Sequence, residues 1–108
     1  MANDMLFDAL ADPTRRRVLQ LLGTGPKRAG ELAQTARVSP PAMSRHLRIL
    51  LSAGMVGDER SAADARIRLF RLRPEGLNPV RVWMDALQSE WDAQLESFRR
   101  HADGVGQS

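Results

Sequence analysis

The chain contains no cysteine, which excludes a disulfide framework and any thiolate-bound metal. No apolar run approaches the ~20 residues that span a bilayer. The opening MANDMLFDAL lacks the basic start and apolar core of a secretory leader. A cytoplasmic protein with no membrane partner is therefore expected. Histidine is scarce: His46 and His101 stand far apart, so converging imidazoles for a transition metal are not on offer. The sequence shows no nucleophile–base pattern, no phosphate-cradling glycine-rich loop and no paired catalytic carboxylates. Ser44 and His46, two apart on what reads as a helix, point in different directions and cannot form a nucleophile–base pair. Neither an enzyme nor a cofactor is expected. Internal repeats and low-complexity segments are absent as well.

What is present is a short chain of 108 residues with 43% hydrophobic and 27% charged residues, ordinary for a globular protein. That length allows one hydrophobic core. The reading is a single domain over 1–103 and a flexible tail over 104–108. The formal net charge of +3 hides a segregation. Residues 1–13 hold three acids and no base, residues 14–73 hold 13 Lys/Arg against four acids, and residues 74–108 hold three bases against six acids. A basic middle between acidic ends suits a phosphate-facing module flanked by a different surface. Solvated faces on an arginine-rich chain would look the same, so charge alone decides nothing.

Local signals order the elements. Asp4 to Ala11 reads as a short helix with Met5, Leu6, Leu10 and Phe7 buried. Asp12-Pro13 opens a second helix to about Leu22, because a proline at the first helical position lacks only an N–H that would go unpaired. Gly23-Thr24-Gly25-Pro26 stops it. A third helix spans about Ala29 to Ala36, with Leu32 and Ala33 inward. Ser39 caps a fourth, opened by Pro40-Pro41 and ending near Ala53, with Gly54 suited to the left-handed position beyond it. Val56–Arg60 and Arg66–Arg73 read as two strands of a hairpin. From Asn78-Pro79 a long helix runs to about His101, its apolar positions stepping by threes and fours. The fold class is mainly α with a small β-hairpin, in the order α-α-α-α-β-β-α.

Helices 29–36 and 39–53, joined by a tight turn, form a helix-turn-helix candidate. At 3.6 residues per turn, Leu47, Leu50 and Leu51 gather with Met43 into one compact stripe. Ser44, Arg48, Pro41 and Arg45 follow one another round the other side of the same helix. One face anchors; the other carries two arginines and a serine. Arginine is the commonest bidentate partner of guanine O6 and N7, so Arg45 and Arg48 have groove chemistry as well as charge. A solvated helix face could show the same split. The following hairpin, with Arg60, Arg66 and Arg68 around its tip, adds what a wing reaching phosphates or the minor groove needs. His46 falls just beyond Leu50 by the same rotation, at the edge of the anchoring stripe. It reads first as a hydrogen-bonding or phosphate contact, then as packing, and last as a metal ligand.

The segments LADPTRRRVLQLL (10–22), GELA (30–33), SPPAMSRHLRILLSAGMV (39–56) and RIRLFRL (66–72) resemble the ArsR/SmtB-type winged helix-turn-helix repressors, in the right order over about residues 5–100. The resemblance implies a homodimer built on the first and last helices. It implies two recognition helices in successive major grooves of a palindromic double-stranded operator, and repression relieved by a signal. It also implies that Pro41, Ser44, Arg45 and His46 lie at the DNA surface; the helical wheel by itself supports Ser44, Arg45 and Arg48. Metal-sensing members use a cysteine cluster on the helix equivalent to 29–36, or Asp and His ligands on the last helix. Here those places read AGELAQTA and Asp85-Ala86-Leu87, so no metal site is expected. The pattern W-x7-W-D-x2-L-x2-F of the last helix resembles a metal-independent branch of the family.

That last helix reads as an interface. Trp83, Leu87, Trp91, Leu95 and Phe98 share one stripe, and a domain this small has little core for them to cover. With Met5 and Leu6 they form the expected dimer seam. A winged helix can also serve as a protein-interaction module without binding DNA; that alternative predicts an acidic or apolar recognition face, unlike Arg45 and Arg48. The operator bases, the regulated genes and any inducing small molecule or protein are not written in the sequence.

Overall fold

A computed structural model describes residues 2–106, which fall into two compact units divided at Asn78 and Pro79. The first holds four helices and a hairpin; the second is the long last helix.

In the first unit, α1 (Ala2–Ala11) gives way directly to α2 (Pro13–Leu22). Asp12 sits between them in extended backbone and its Oδ1 accepts from the Arg15 N–H at 3.0 Å. Pro13 takes the first helical position, as its fixed φ favours. The last carbonyls of α1, which have no partner within their own helix, are met by the next one. The Arg15 side chain donates to the Asp8 and Ala9 oxygens, and Arg16 to those of Leu10 and Ala11. Leu6 and Ala9 are the buried residues of α1, whereas Met5 and Phe7 are 49% and 37% exposed. The expected burial of those two fails because ten residues of helix turn one narrow face inward.

The segment after α2 bends at Gly25 (φ 140°) and leads into α3 (Ala29–Ala36). Glu31 accepts from the Arg28 N–H at the start of α3. Arg37 ends it in the left-handed region (φ 59°), with the Val38 N–H reaching back to the Ala33 oxygen. This places Ser39 to cap α4 (Pro40–Ser52), its Oγ accepting from the Ala42 N–H at 3.2 Å. Gly54 (φ 78°) follows, and Met55 N–H donates to the Leu50 oxygen, so the chain leaves the helix toward the hairpin.

Strands β1 (Val56–Arg60) and β2 (Arg68–Leu72) pair antiparallel, with Val56 opposite Leu72 and Arg60 opposite Arg68. Arg66 and Ile67, expected in the second strand, lie in the loop instead. Asp64 draws them there: its carboxylate accepts from both the backbone and the guanidinium of Arg66, and its carbonyl from the Ile67 N–H. On the other edge of β2, Lys27 and Phe70 exchange two backbone hydrogen bonds of 3.0 and 2.8 Å. The hairpin root is thereby tied to the entry of α3. A 3-10 turn, Pro74–Leu77, closes the unit. Gly76 lies against Gly54 so closely that a Cβ would collide with the Gly54 carbonyl.

The core of this unit is apolar throughout, built on Val18, Leu32, Met43, Leu50, Met55 and Val56, all with at most 1% exposure. Among the described residues no charged or polar residue is buried. The second unit is α5, Asn78–Gly106. It continues past the expected end near His101 and takes in the first three residues of the expected tail; residues 107–108 lie outside those described. No described helix is long and apolar enough to cross a membrane.

Candidate nucleic-acid interface

The α3–turn–α4 pair is held by α4's anchoring face. Met43, Leu47 and Leu50 are buried and Leu51 is half-buried. The opposite face presents Pro41, Ser44, Arg45 and Arg48, all exposed. Neither the Arg45 nor the Arg48 guanidinium has a hydrogen-bond or ion-pair partner among the described residues. Two cations on a rigid, well-capped helix, with no acid to neutralise them, form a surface that gains most from an external anion.

His46 does not join them. It is half-buried, its Nδ1 lying 3.3 Å from Nη1 of Arg15 and 3.9 Å from Oδ1 of Asp12. A guanidinium can only donate, so this contact is a hydrogen bond when Nδ1 of the imidazole is the acceptor. The imidazole thus braces α4 against the start of α2. The helical wheel places it correctly at the edge of the stripe, but its partners come from another helix, which no single-helix projection contains. The Arg15 N–H donating to Asp12 is the main cause that holds this carboxyl below its ordinary value; burial opposes, and the Arg15 charge assists, as does His46 when its ring is protonated.

The hairpin arginines divide by partner. Arg66 grips Asp64 through two side-chain bonds of 3.0 and 2.9 Å; that pairing lowers the Asp64 pKa and raises that of Arg66. Arg68 donates to Asp58 at 2.7 Å and lies 4.6 Å over the Phe70 ring. Arg60 is exposed and without a side-chain partner among the described residues. It stands directly across the ladder from Arg68. Like charges in register destabilise a hairpin; here Asp58 offsets the charge of Arg68 and leaves Arg60 as the unpaired cation of the two among the described residues.

Arg73, part of the basic middle of the sequence, bonds Glu75 at 3.1 Å, beyond the hairpin. Sequence reasoning missed the Lys27–Phe70 bridge, for which one residue of extended chain leaves no pattern. Among the described residues no group of three or more His, Asp or Glu side chains gathers as a metal site would need.

Residues 10–57 match the model of a helix-turn-helix domain family. The HTH-type transcriptional regulator Rv2034 of Mycobacterium tuberculosis is 38% identical over 103 residues, covering 95% of this chain and 91% of that protein. The crystal structure of an ArsR family transcriptional regulator, RHA00566, superposes with a TM-score of 0.75 at 30% identity, covering 85% of this chain and 98% of that one. A homodimeric winged helix-turn-helix DNA-binding domain from Mycobacterium bovis, Mb0332, gives a TM-score of 0.63 at 21% identity, covering 82% and 80%. At that identity the likeness shows the fold.

Proposed function

Since this chain belongs to the ArsR family of helix-turn-helix transcriptional regulators, we propose that it represses transcription as a homodimer that sets two α4 helices into successive major grooves of a palindromic operator. One observation carries the reading: α4 exposes Ser44, Arg45 and Arg48 opposite its buried leucines, with both guanidiniums free of partners among the described residues. Arg45 and Arg48 read base edges, and Ser44 and Pro41 fit the helix start against the backbone. Arg60 and Arg68 take phosphates from the wing. Arg66 and Arg68 contribute less than Arg60, because Asp64 and Asp58 already pair with them. His46 serves as a brace rather than a contact.

The second unit supports the dimer. At 3.6 residues per turn, Trp83, Met84, Leu87, Trp91, Leu95 and Phe98 share one side of α5. Trp91, Leu95 and Phe98 are 52%, 65% and 72% exposed. A stripe this wide on one helix is the kind that a second copy buries. On α1, Met5 is half-exposed and remains open to a partner, whereas Leu6 is spent on the core of its own unit. The protein works in the cytoplasm, where its DNA is, and holds no resident metal in this reading.

The test is binding to the protein's own promoter DNA by fluorescence anisotropy, with sedimentation in parallel. Arg45→Ala and Arg48→Ala should each weaken specific binding by about 1–3 kcal/mol while the dimer persists. Unchanged affinity in both would remove α4 from the interface.

A further inference from the structure

Between α4, the start of α3 and β2 lies a cavity of about 320 Å³. Its floor is apolar, made of Ala29, Leu47, Leu51 and Phe70. Its rim is polar and cationic, made of Ser44, Arg48 and Arg68. We propose that this cavity binds a small carboxylate with an apolar, one- or two-ring body, and that such a ligand displaces DNA. The displacement half of the inference rests on the α4 reading above; the binding half does not.

The occupant follows from charge, shape and size. Arg48 is an uncommitted guanidinium among the described residues, and the planar fork of arginine matches a carboxylate with two parallel hydrogen bonds. Arg68 is fixed in place by Asp58 and by the Phe70 ring beneath it, so one face of its guanidinium forms a rigid wall on which an aromatic body stacks. Ser44 adds a hydroxyl donor. A bare phosphate would satisfy the rim and leave the leucine floor wet; a neutral hydrocarbon would cover the floor and strand Arg48. An apolar acid does both. The volume stands near the low end of the roughly 300–1,000 Å³ typical of small-molecule sites, too small for a nucleotide cofactor or a full lipid.

The consequence for DNA is direct. Ser44 and Arg48 line the cavity and also belong to the exposed reading face of α4. A carboxylate paired with Arg48 withdraws that guanidinium from guanine. Release then needs no change of fold, only competition for one side chain.

The probe is 2-naphthoate, added to the full-length chain and followed by methyl NMR and by calorimetry, with 2-naphthalenemethanol and inorganic phosphate as neutral and tail-less controls. Saturable shifts of the Ala29, Leu47 and Leu51 methyls are expected, with both controls weaker by about tenfold or more. Ala29→Leu, which fills the floor without touching the reading face, should weaken naphthoate by a similar factor and leave promoter binding in place. In anisotropy, naphthoate should raise the apparent Kd for promoter DNA in proportion to its concentration. Equal binding of the alcohol or of phosphate would overturn the inference, as would shifts confined to the apolar stripe of α5. Should Ala29→Leu fail to fold, the three-probe comparison on the native chain decides alone. Cavity binding by a chain with no affinity for its promoter would sink the α4 reading and spare the site; promoter binding with an inert cavity would do the reverse.

Discussion

Arg15 and His46, 31 positions apart, meet where Nη1 of the one donates to Nδ1 of the other at 3.3 Å. The same guanidinium donates to the Asp8 and Ala9 carbonyls. One side chain therefore closes α1, sits in the first turn of α2 and braces α4. The orientation of the reading helix depends on a residue far outside it.

Arg15→Ala should be costly in proportion. It strips two carbonyls of a charge-assisted partner and removes the brace on His46. At about 1 kcal/mol for each such bond, a loss of roughly 2–3 kcal/mol is expected in urea unfolding. Arg15→Lys should recover only a part, since an ammonium cannot span three acceptors set by a planar fork. Full recovery by lysine would mean that charge, not geometry, is what matters there.

Asp12 links stability to acid. Its folded pKa lies below the unfolded value, so its contribution is complete above the unfolded value near 4 and disappears as pH falls through the folded one. Asp12→Asn keeps a good helix cap while removing the titration. It should be slightly less stable than the parent at neutral pH, where the ionised carboxylate contributes in full, and should lose less stability between about pH 5 and 2. Asp12→Ala should cost about 1 kcal/mol at neutral pH through the lost cap. Parallel acid profiles for parent and Asp12→Asn would assign the acid sensitivity elsewhere.

Freeing the wing should strengthen DNA binding. Asp64→Asn removes the acid that holds Arg66. The released cation should steepen the dependence of log affinity on log salt by up to about one unit. Arg66→Ala in the native background should change that slope little. A large effect of Arg66→Ala would show that the Asp64 pair opens on DNA.

Two glycines offer a matched stability test. Gly76→Ala drives a methyl into the Gly54 carbonyl and should cost about 1–3 kcal/mol, as overpacking does. Gly30, within α3 and facing open space, should gain up to about 1 kcal/mol from alanine. Thermal melts of the two variants should move in opposite directions.

The exposed stripe of α5 makes its own prediction. Trp91→Glu places a charge in the middle of the proposed seam and should dissociate the dimer at micromolar concentration, weakening operator binding with it. A variant that still sediments as a dimer would move the interface away from this helix.

Local chemistry written in the sequence determined most of the scaffold. Asp12-Pro13, Ser39-Pro40 and Gly54 act through neighbours three or four residues away, so the helix starts and the exit from α4 follow from composition. The 3.6-residue period did the same for Met43, Leu47 and Leu50 against Ser44, Arg45 and Arg48, because a helix's two faces are set by its own geometry. Tertiary structure decided whatever depended on a partner distant in sequence. It turned His46 toward Arg15 and Asp12, exposed Met5, and joined Lys27 to Phe70. It also brought Arg48 and Arg68, twenty positions apart, onto one cavity rim. Such contacts follow no short sequence period and span long separations, and only the packed chain brings their atoms within bonding distance.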